Sequence, residues 1–278
     1  MKLLKSSPPW LFASLLTTII VVGELTHDIL GGFDRLALAL GTSIVAEHVV
    51  SRLFAGRKGN TLSAYITGNS ILVLTKPAAG LLWPFVMGPI LAIVSKAALR
   101  YRGQHIWNPT NLSFAVLLLV APGSMSILSH QWGNDWRLVV LLLGLGFLVV
   151  GKSGLMHVSG TYALAFSALA VVRAWMLGLP VLAELAPITG PMYMLFMFFM
   201  ITDPRTIVRG KHGRVIVVLI IALVEMGIRL LDQVNWPLLD PLLTAPPIFA
   251  LFLVGPIAKV LELRRQARAE VEAVPAPA

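Results

Sequence analysis

Two polar stretches interrupt an otherwise apolar sequence, and the first, residues 105–111, reads His-Ile-Trp-Asn-Pro-Thr-Asn. Pro109 suits the first turn of a helix, where a backbone amide has no partner to lose. Asn108 is then predicted to be the N-cap, which satisfies amides that lipid cannot satisfy. Alternatively, Asn108, Asn111 and the helix N-terminus present hydrogen-bond donors to an anionic or carbonyl-rich ligand. The residue types are compatible with both interpretations.

The second stretch, residues 198–206, reads Phe-Phe-Met-Ile-Thr-Asp-Pro-Arg-Thr. Thr202 and Asp203 end a wholly apolar run, where a carboxylate is costly unless it is paired. The predicted partner is Arg205 or Arg209. Asp203 therefore either fixes a loop after a Pro-terminated helix or forms a binding element beside the Asn-Pro stretch.

The other ionisable groups within the apolar segments favour structural roles. Glu225 and Arg229 stand four residues apart on one predicted helix face, which predicts an ion pair. Glu47, next to His48, is predicted to snorkel at a cytoplasmic helix end. Together with Lys96, these groups are too scattered to predict a proton or ion pathway.

The sequence predicts no metal centre. It contains no cysteine, which excludes disulfides, thiolate zinc sites and Cys-ligated iron–sulfur clusters. The histidines His105, His157 and His212 are isolated from one another, so His105 is predicted to form interfacial hydrogen bonds.

The composition indicates a membrane protein. Of the 278 residues, 57% are hydrophobic and only 13% are charged, whereas soluble domains carry roughly 25% charged residues. This scarcity of charge excludes a soluble enzyme, a nucleic-acid-binding domain and a disordered protein. The net charge of +9 then indicates basic cytoplasmic loops facing anionic lipid, with no nucleic-acid partner.

The apolar segments of the chain predict about ten transmembrane helices. The first is predicted to be a retained helix and not a signal peptide, because no small-residue cleavage site follows Gly23. The third, fifth and eighth segments are short and interrupted, which is typical of helices that line an interior site. The ten segments are Trp10–Gly23, Leu36–Ser51, Leu62–Leu74, Leu81–Leu99, Thr110–Ala121, Arg137–Gly151, Met156–Val172, Ile188–Ile201, Val215–Leu231 and Leu238–Val260.

The charges alternate along the chain in step with ten crossings. Nearly every basic cluster follows an even-numbered segment, and the acidic loops follow odd-numbered ones. By the positive-inside rule, both termini are predicted to be cytoplasmic.

A faint internal repeat supports a five-plus-five arrangement, in which the two halves have opposite orientation. Ile-Thr-Gly occurs at 66–68 in the third segment and at 188–190 in the eighth, and a Thr-x-Pro follows each. The predicted organisation is a first repeat at 1–125, a second at 126–262 and a disordered cytoplasmic tail at 263–278. The central site is predicted between the helices carrying Thr67 and Thr189.

These motifs resemble those of the RnfD/NqrB family of membrane subunits. The Asn-Pro stretch at 105–111, the Thr-Asp-Pro stretch at 198–206 and the two Thr-Gly helices occur in the family's order over about residues 35–235. The resemblance implies an all-α, ten-helix, inverted-repeat fold similar to that of urea transporters. It also implies a bacterial inner-membrane location and a role in an ion-pumping complex that passes electrons from NADH or ferredoxin.

Family members carry FMN linked to a threonine in a long loop between the halves, and here the sequence departs from the family. The corresponding loop, Pro122–Trp136, contains no threonine, and Ser159-Gly160-Thr161 is only a partial match. Any FMN or riboflavin is therefore predicted to bind non-covalently, with Asn108, Asn111, Thr67, Thr189, Thr202 and Asp203 as the candidate site.

The predicted function is membrane electron transport as a subunit of a redox complex, with membrane lipids and other membrane subunits as partners. Two alternatives remain open. One is a small-solute transporter or channel on the same fold, and the other is a non-redox scaffold subunit of a membrane complex.

Overall fold

The structure is a computed structural model that describes residues 9–78, 80–127 and 136–272. Helices dominate it, and each of the ten predicted apolar segments contains at least one helix. The helices are α1 (Pro9–His27), α2 (Phe33–Ala55), α3 (Thr61–Leu72), α4 (Pro84–Ala98), α5 (Pro109–Val120), α6 (Trp136–Ser153), α7 (Met156–Leu177), α8 (Val181–Leu185), α9 (Pro191–Leu195), α10 (Lys211–Leu230), α11 (Asp240–Thr244) and α12 (Pro246–Glu272).

Several helices have the length and apolar composition of membrane spans. Within the described ranges there are five of them, namely α1, α2, α6, α7 and residues 246–270 of α12. A sixth is obtained if residues 181–189 and 191–200, which meet at an angle of 57°, count as one broken span. Helices α4 and α5 are apolar but shorter. The protein is therefore a helical, multi-pass membrane protein.

The repeated Ile-Thr-Gly motifs have different local structures. Thr67 and Gly68 lie inside the unbroken helix α3, and a Cβ on Gly68 would stand 2.7 Å from Ser43 Oγ of α2. Thr189 instead ends the short 3₁₀-helix Ala186–Thr189, and Gly190 is extended (φ −73°, ψ 149°). The following Pro191 explains the difference, since the residue before a proline is pushed out of the helical region.

Among the described residues, two short antiparallel strand pairs accompany the helices, and neither was predicted. β1 (Thr75–Pro77) pairs with β4 (Met125–Ile127), and β2 (Arg100–Tyr101) pairs with β3 (Gln104–His105). The β2–β3 turn consists of Arg102 and Gly103, both with positive φ (50° and 75°), as tight hairpins require. This hairpin leads directly into the Asn-Pro stretch.

The C-terminal segment differs from the prediction of a disordered tail. Helix α12 continues through residues 263–272, and residues 273–278 lie outside the described part of the chain. The extension is rich in Arg, Ala and Glu, which are strong helix formers. It is also tethered, because Glu262 bonds both Lys259 Nζ (3.0 Å) and the backbone amide of Arg209.

A buried polar network joins α7, α9 and α10. Glu225 is 1% exposed, and its carboxylate accepts hydrogen bonds from the Tyr162 and Tyr193 hydroxyls, both at 2.5 Å. Arg229 Nε donates to the same carboxylate at 3.2 Å, which confirms the predicted ion pair. Arg229 also contacts the Tyr193 hydroxyl and lies over the Phe166 ring. The network attaches the broken helix to its two neighbours.

We expect Arg229→Met to lower the free energy of unfolding by about 3 kcal/mol, because a buried carboxylate loses its cation. The measurement is denaturant unfolding of the purified protein in mixed micelles. The double variant Glu225→Gln/Arg229→Met should recover part of the loss, since no charge then remains buried. Arg268→Met, at an exposed position of α12, is the matched control. Strict additivity of the two single losses would contradict the coupling.

Candidate functional site

The site begins with Asn108, which has two roles at once. Its Oδ1 accepts a hydrogen bond from the Asn111 backbone amide at 3.0 Å, so Asn108 is the N-cap of α5 as predicted. Its Nδ2 donates to Asp203 Oδ2 at 3.1 Å. The Asn-Pro and Thr-Asp-Pro stretches, 95 positions apart in sequence, are therefore in direct contact.

Asp203 is satisfied by neutral donors, and the prediction of an arginine partner for its carboxylate is wrong. Beyond Asn108, it accepts hydrogen bonds from the Arg205 backbone amide (3.0 Å) and the Thr206 hydroxyl (2.9 Å). Within the described ranges its carboxylate forms no ion pair with the side chain of Arg205 or Arg209. The chain turns back on itself at Pro204, so local donors reach the carboxylate first.

Two buried cations hold the loop that follows Asp203, and sequence reasoning missed both roles. Lys259 of α12 is 3% exposed and donates to the Ile207 carbonyl at 3.3 Å. Arg214 of α10 is 6% exposed and donates to the Val208 carbonyl at 2.9 Å. Each cation satisfies a loop carbonyl, and together they fix the loop against two helices.

A cavity of about 470 Å³ opens beside the Asn108–Asp203 contact. Its volume lies within the usual range of small-molecule sites. One side is apolar and aromatic, with Phe12, Leu195, Phe198 and Phe199. The polar side consists of side chains from α3, α4, the Asn-Pro stretch and the Thr-Asp-Pro loop, namely Ser63, Thr67, Ser70, Lys96, His105, Asn108, Thr110, Thr202, Asp203, Arg205 and Thr206.

Lys96 of α4 lines the cavity and contacts α3. Its Nζ donates to Ser63 Oγ at 3.2 Å and to Thr67 Oγ1, and lies 3.8 Å from Glu47 Oε2. Both members of the ion pair are 13% exposed. Glu47 therefore does not snorkel as predicted, because α2 packs directly on α4 and brings the cation to it. The sequence feature that could have indicated this role is a single lysine within an otherwise apolar segment.

His105 lines the cavity from the end of the β2–β3 hairpin. Its Nδ1 is buried and has no hydrogen-bond partner in the part of the chain that the structure describes. Burial, followed by the positive charges of Arg100 and Arg205, lowers the pKa of His105 to about 4. The imidazole is therefore neutral at pH 7 and offers one donor and one acceptor.

The structure brings together four of the six predicted site residues. Thr67, Asn108, Thr202 and Asp203 line the cavity.

The other two candidates lie elsewhere. Asn111 is buried behind the cavity wall, where its Nδ2 donates to the Ile248 carbonyl at 2.9 Å. Thr189 is not among the cavity-lining residues, and its hydroxyl donates to the Ala186 carbonyl at 2.9 Å. The break at Gly190 explains this, since the eighth segment reaches the cavity only through its later residues, 195–200. Among the described residues, no cluster of three His, Asp or Glu side chains could hold a metal ion.

Comparison with known proteins gives limited similarity. No protein-family model matches the chain. The D subunit of the ion-translocating oxidoreductase complex of Haemophilus influenzae, in strains PittEE and PittGG, is 29% identical over 93 residues. The match covers 32% of this chain and 26% of each relative's length. It supports a resemblance to RnfD-type proteins over about a third of the chain.

We expect Asn108→Ala to lower stability by about 1 kcal/mol through loss of the cap and to free Asp203 from α5. Asn108→Ser keeps a capping oxygen but is too short to bridge to Asp203, so it should restore the stability and not the binding of the flavin that the sequence predicts. Thermal unfolding in detergent and binding of a flavin measure the two effects separately. Gln233→Ala, at an exposed position of the 3₁₀-helix Leu231–Val234, is the control. If Asn108→Ser binds normally, the role of Asn108 is limited to capping.

Proposed function

We propose that this protein is a subunit of a membrane electron-transport complex, and that it binds a flavin non-covalently in the cavity beside Asn108 and Asp203. The observation that carries the proposal is this cavity, formed where the Asn-Pro and Thr-Asp-Pro stretches meet. The similarity to the D subunit of an ion-translocating oxidoreductase complex supports the functional class and the presence of other membrane subunits as partners.

The chemistry of the cavity wall fits a flavin. The aromatic side offers a polarisable surface to a flat ring system, and there the Phe12 and Phe199 rings contact each other at a tilt, with centroids 5.5 Å apart. The polar side offers the neutral imidazole of His105, whose Nδ1 has no partner in the described residues, and the ammonium of Lys96. A bound flavin supplies electron transfer, and the chain's own residues bind it, orient it and exclude water from it.

Two observations support the proposal that the flavin is not covalently attached. The loop 122–136 has no threonine, and its residues 128–135 lie outside the described part of the chain. Ser159 is buried in α7, and its hydroxyl donates to the Met197 carbonyl at 2.8 Å. Thr161, the threonine of the partial match, lies inside the same helix α7 and not in a loop between the halves.

The purified protein is expected to be yellow and to release free flavin on denaturation, with no fluorescent band on a denaturing gel. Lys96→Met should lower the retained flavin several-fold, because the cavity loses its ammonium. The double variant Glu47→Gln/Lys96→Met separates this effect from the cost of an unpaired Glu47. Lys152→Met, at the exposed end of α6, is the matched control. A colourless wild-type protein that moves a solute into liposomes would contradict the proposal.

A small-solute transporter or channel is the second candidate function. The observation in its favour is a row of hydroxyls along the cavity side of α3, formed by Ser63, Thr67 and Ser70 at one-turn spacing. Such a row can hydrogen-bond a small polar solute as it passes. The liposome measurement above distinguishes this candidate from the redox function.

We also propose ten crossings in two inverted repeats in the bacterial inner membrane, with both termini cytoplasmic. Two contacts between distant loops support this topology, because each joins loops that the charge pattern assigns to one side. These contacts are the β1–β4 pair and the ion pair of Arg102 with Glu270 (3.9 Å).

Because the chain contains no cysteine, single introduced cysteines can test this topology directly. With ten crossings, Lys58→Cys and Lys211→Cys should react with a membrane-impermeant maleimide only in inverted vesicles. Asp28→Cys and Asn235→Cys should react only in intact spheroplasts. All four positions are exposed, so a failure to react is not caused by burial. Labelling of Lys58→Cys and Lys211→Cys from opposite sides would exclude the ten-crossing arrangement.

A further inference from the structure

The outer face of α12 changes from apolar to cationic within one helical turn. Leu253, Ile257 and Leu261 are exposed, and the exposed Arg264 and Arg265 follow them. Because successive residues of a helix are rotated by about 100°, these five side chains project within an arc of about 120°. Exposed large apolar side chains on a membrane span contact lipid tails. The same face therefore offers a path for acyl chains and, at its end, two guanidinium groups.

The opposite face of α12 is packed against the protein at the same level. Lys259 and Leu263 are both only 3% exposed. Glu262 accepts hydrogen bonds from Lys259 Nζ at 3.0 Å and from the backbone amide of Arg209. These contacts fix the rotation of the helix about its own axis, so the two arginines face away from the protein.

The positive charge of this face is not balanced within the described part of the chain. There, the guanidinium groups of Arg264 and Arg265 form no hydrogen bond and no ion pair. Glu262, the nearest acid in sequence, is already paired with Lys259. The contact between Glu262 and the Arg209 amide also brings a third exposed arginine to the same level. An anion from outside the protein can therefore bind here without displacing an internal contact.

The position of the two arginines along the helix matches the headgroup layer of a bilayer. At about 1.5 Å per residue, Arg264 and Arg265 lie about 4.5 and 6 Å beyond Leu261, the last exposed large apolar side chain in the described part of α12. The headgroup layer on each side of the hydrocarbon core is roughly 5–7 Å thick. Arg268, about 10 Å beyond Leu261, lies past this layer.

We propose that this face of α12 binds an anionic phospholipid, whose phosphate is held by Arg264 and Arg265 and whose acyl chains lie along Leu253, Ile257 and Leu261. Guanidinium groups bind phosphate oxygens through strong, often bidentate hydrogen bonds. A lipid is favoured over a soluble acidic protein because the cations directly continue a row of lipid-facing side chains. None of these five residues lines the flavin cavity, so the site does not depend on the proposed redox function.

The test is native mass spectrometry of the full-length protein in a neutral detergent, titrated with phosphatidylglycerol or with phosphatidylcholine of the same chains. The wild type should bind phosphatidylglycerol about tenfold more tightly, and higher salt should reduce this preference. Each cation near an anionic lipid surface contributes about fivefold in affinity. Arg264→Gln/Arg265→Gln should therefore abolish the preference, whereas Arg264→Lys/Arg265→Lys should retain most of it. Retention by the lysine pair shows that the loss in the glutamine pair is not caused by misfolding.

Two control variants test whether the site is specific to this level of α12. Arg268→Gln removes an exposed cation one turn farther along the helix and should change the affinity by less than about twofold. Arg57→Gln/Lys58→Gln removes two exposed cations from the turn between α2 and α3 and should also leave the preference intact. If either control loses as much affinity as Arg264→Gln/Arg265→Gln, the attraction is general to the basic surface, and a site on α12 is excluded.

The source of the anion is tested by competition. Inorganic phosphate at the concentration of the lipid should not displace phosphatidylglycerol, because it makes no contact with the apolar row. Equal binding of the two lipids, or full displacement by inorganic phosphate, overturns the lipid site. Binding of polyglutamate that requires Arg264 and Arg265, without a preference for phosphatidylglycerol, would instead identify an acidic protein as the partner and overturn the proposal.

Discussion

The hydrogen bond between Asn108 Nδ2 and Asp203 Oδ2 is the contact on which the candidate site depends. Asn108 uses its other amide atom to cap α5, and Asp203 uses its other oxygen to hold the Arg205 amide. A single pair of side chains therefore sets the start of one helix and the course of one loop. Breaking the pair removes one of the three hydrogen bonds to the Asp203 carboxylate and leaves the Asn108 side-chain amide without its partner.

The features predicted from sequence are those whose physical cause is local. The cap at Asn108 follows from the residue type and the adjacent Pro109, and the Glu225–Arg229 pair follows from helical spacing. The helical character of the apolar segments was predictable for the same reason. The proximity of the Asn-Pro and Thr-Asp-Pro stretches was one of the two alternatives predicted for Asp203, because both stretches fall on the same predicted face of the membrane.

The features that sequence reasoning missed depend on packing between distant elements. Lys96 meets Glu47 because α2 lies against α4, and no spacing rule connects residues 49 positions apart. Thr189 shares a motif with Thr67, but Pro191 breaks the helix beside it. The charge pattern also did not predict the donors to Asp203. The turn after Asp203 brings the Arg205 amide and the Thr206 hydroxyl to the carboxylate, and neither donor is a charged group.

The wide turn at residues 196–200 has a consequence for the register of the eighth segment. These five residues form a π-helix, in which the Ile201 amide bonds the Phe196 carbonyl at 3.0 Å. A π turn holds one more residue than an α turn, so every later side chain is rotated by about 100° relative to a regular helix. Deleting one residue here would restore a regular helix and rotate Asp203 away from Asn108. The extra residue thus sets the rotation about the helix axis that separates the aromatic side chains of the cavity from the Asp203 carboxylate.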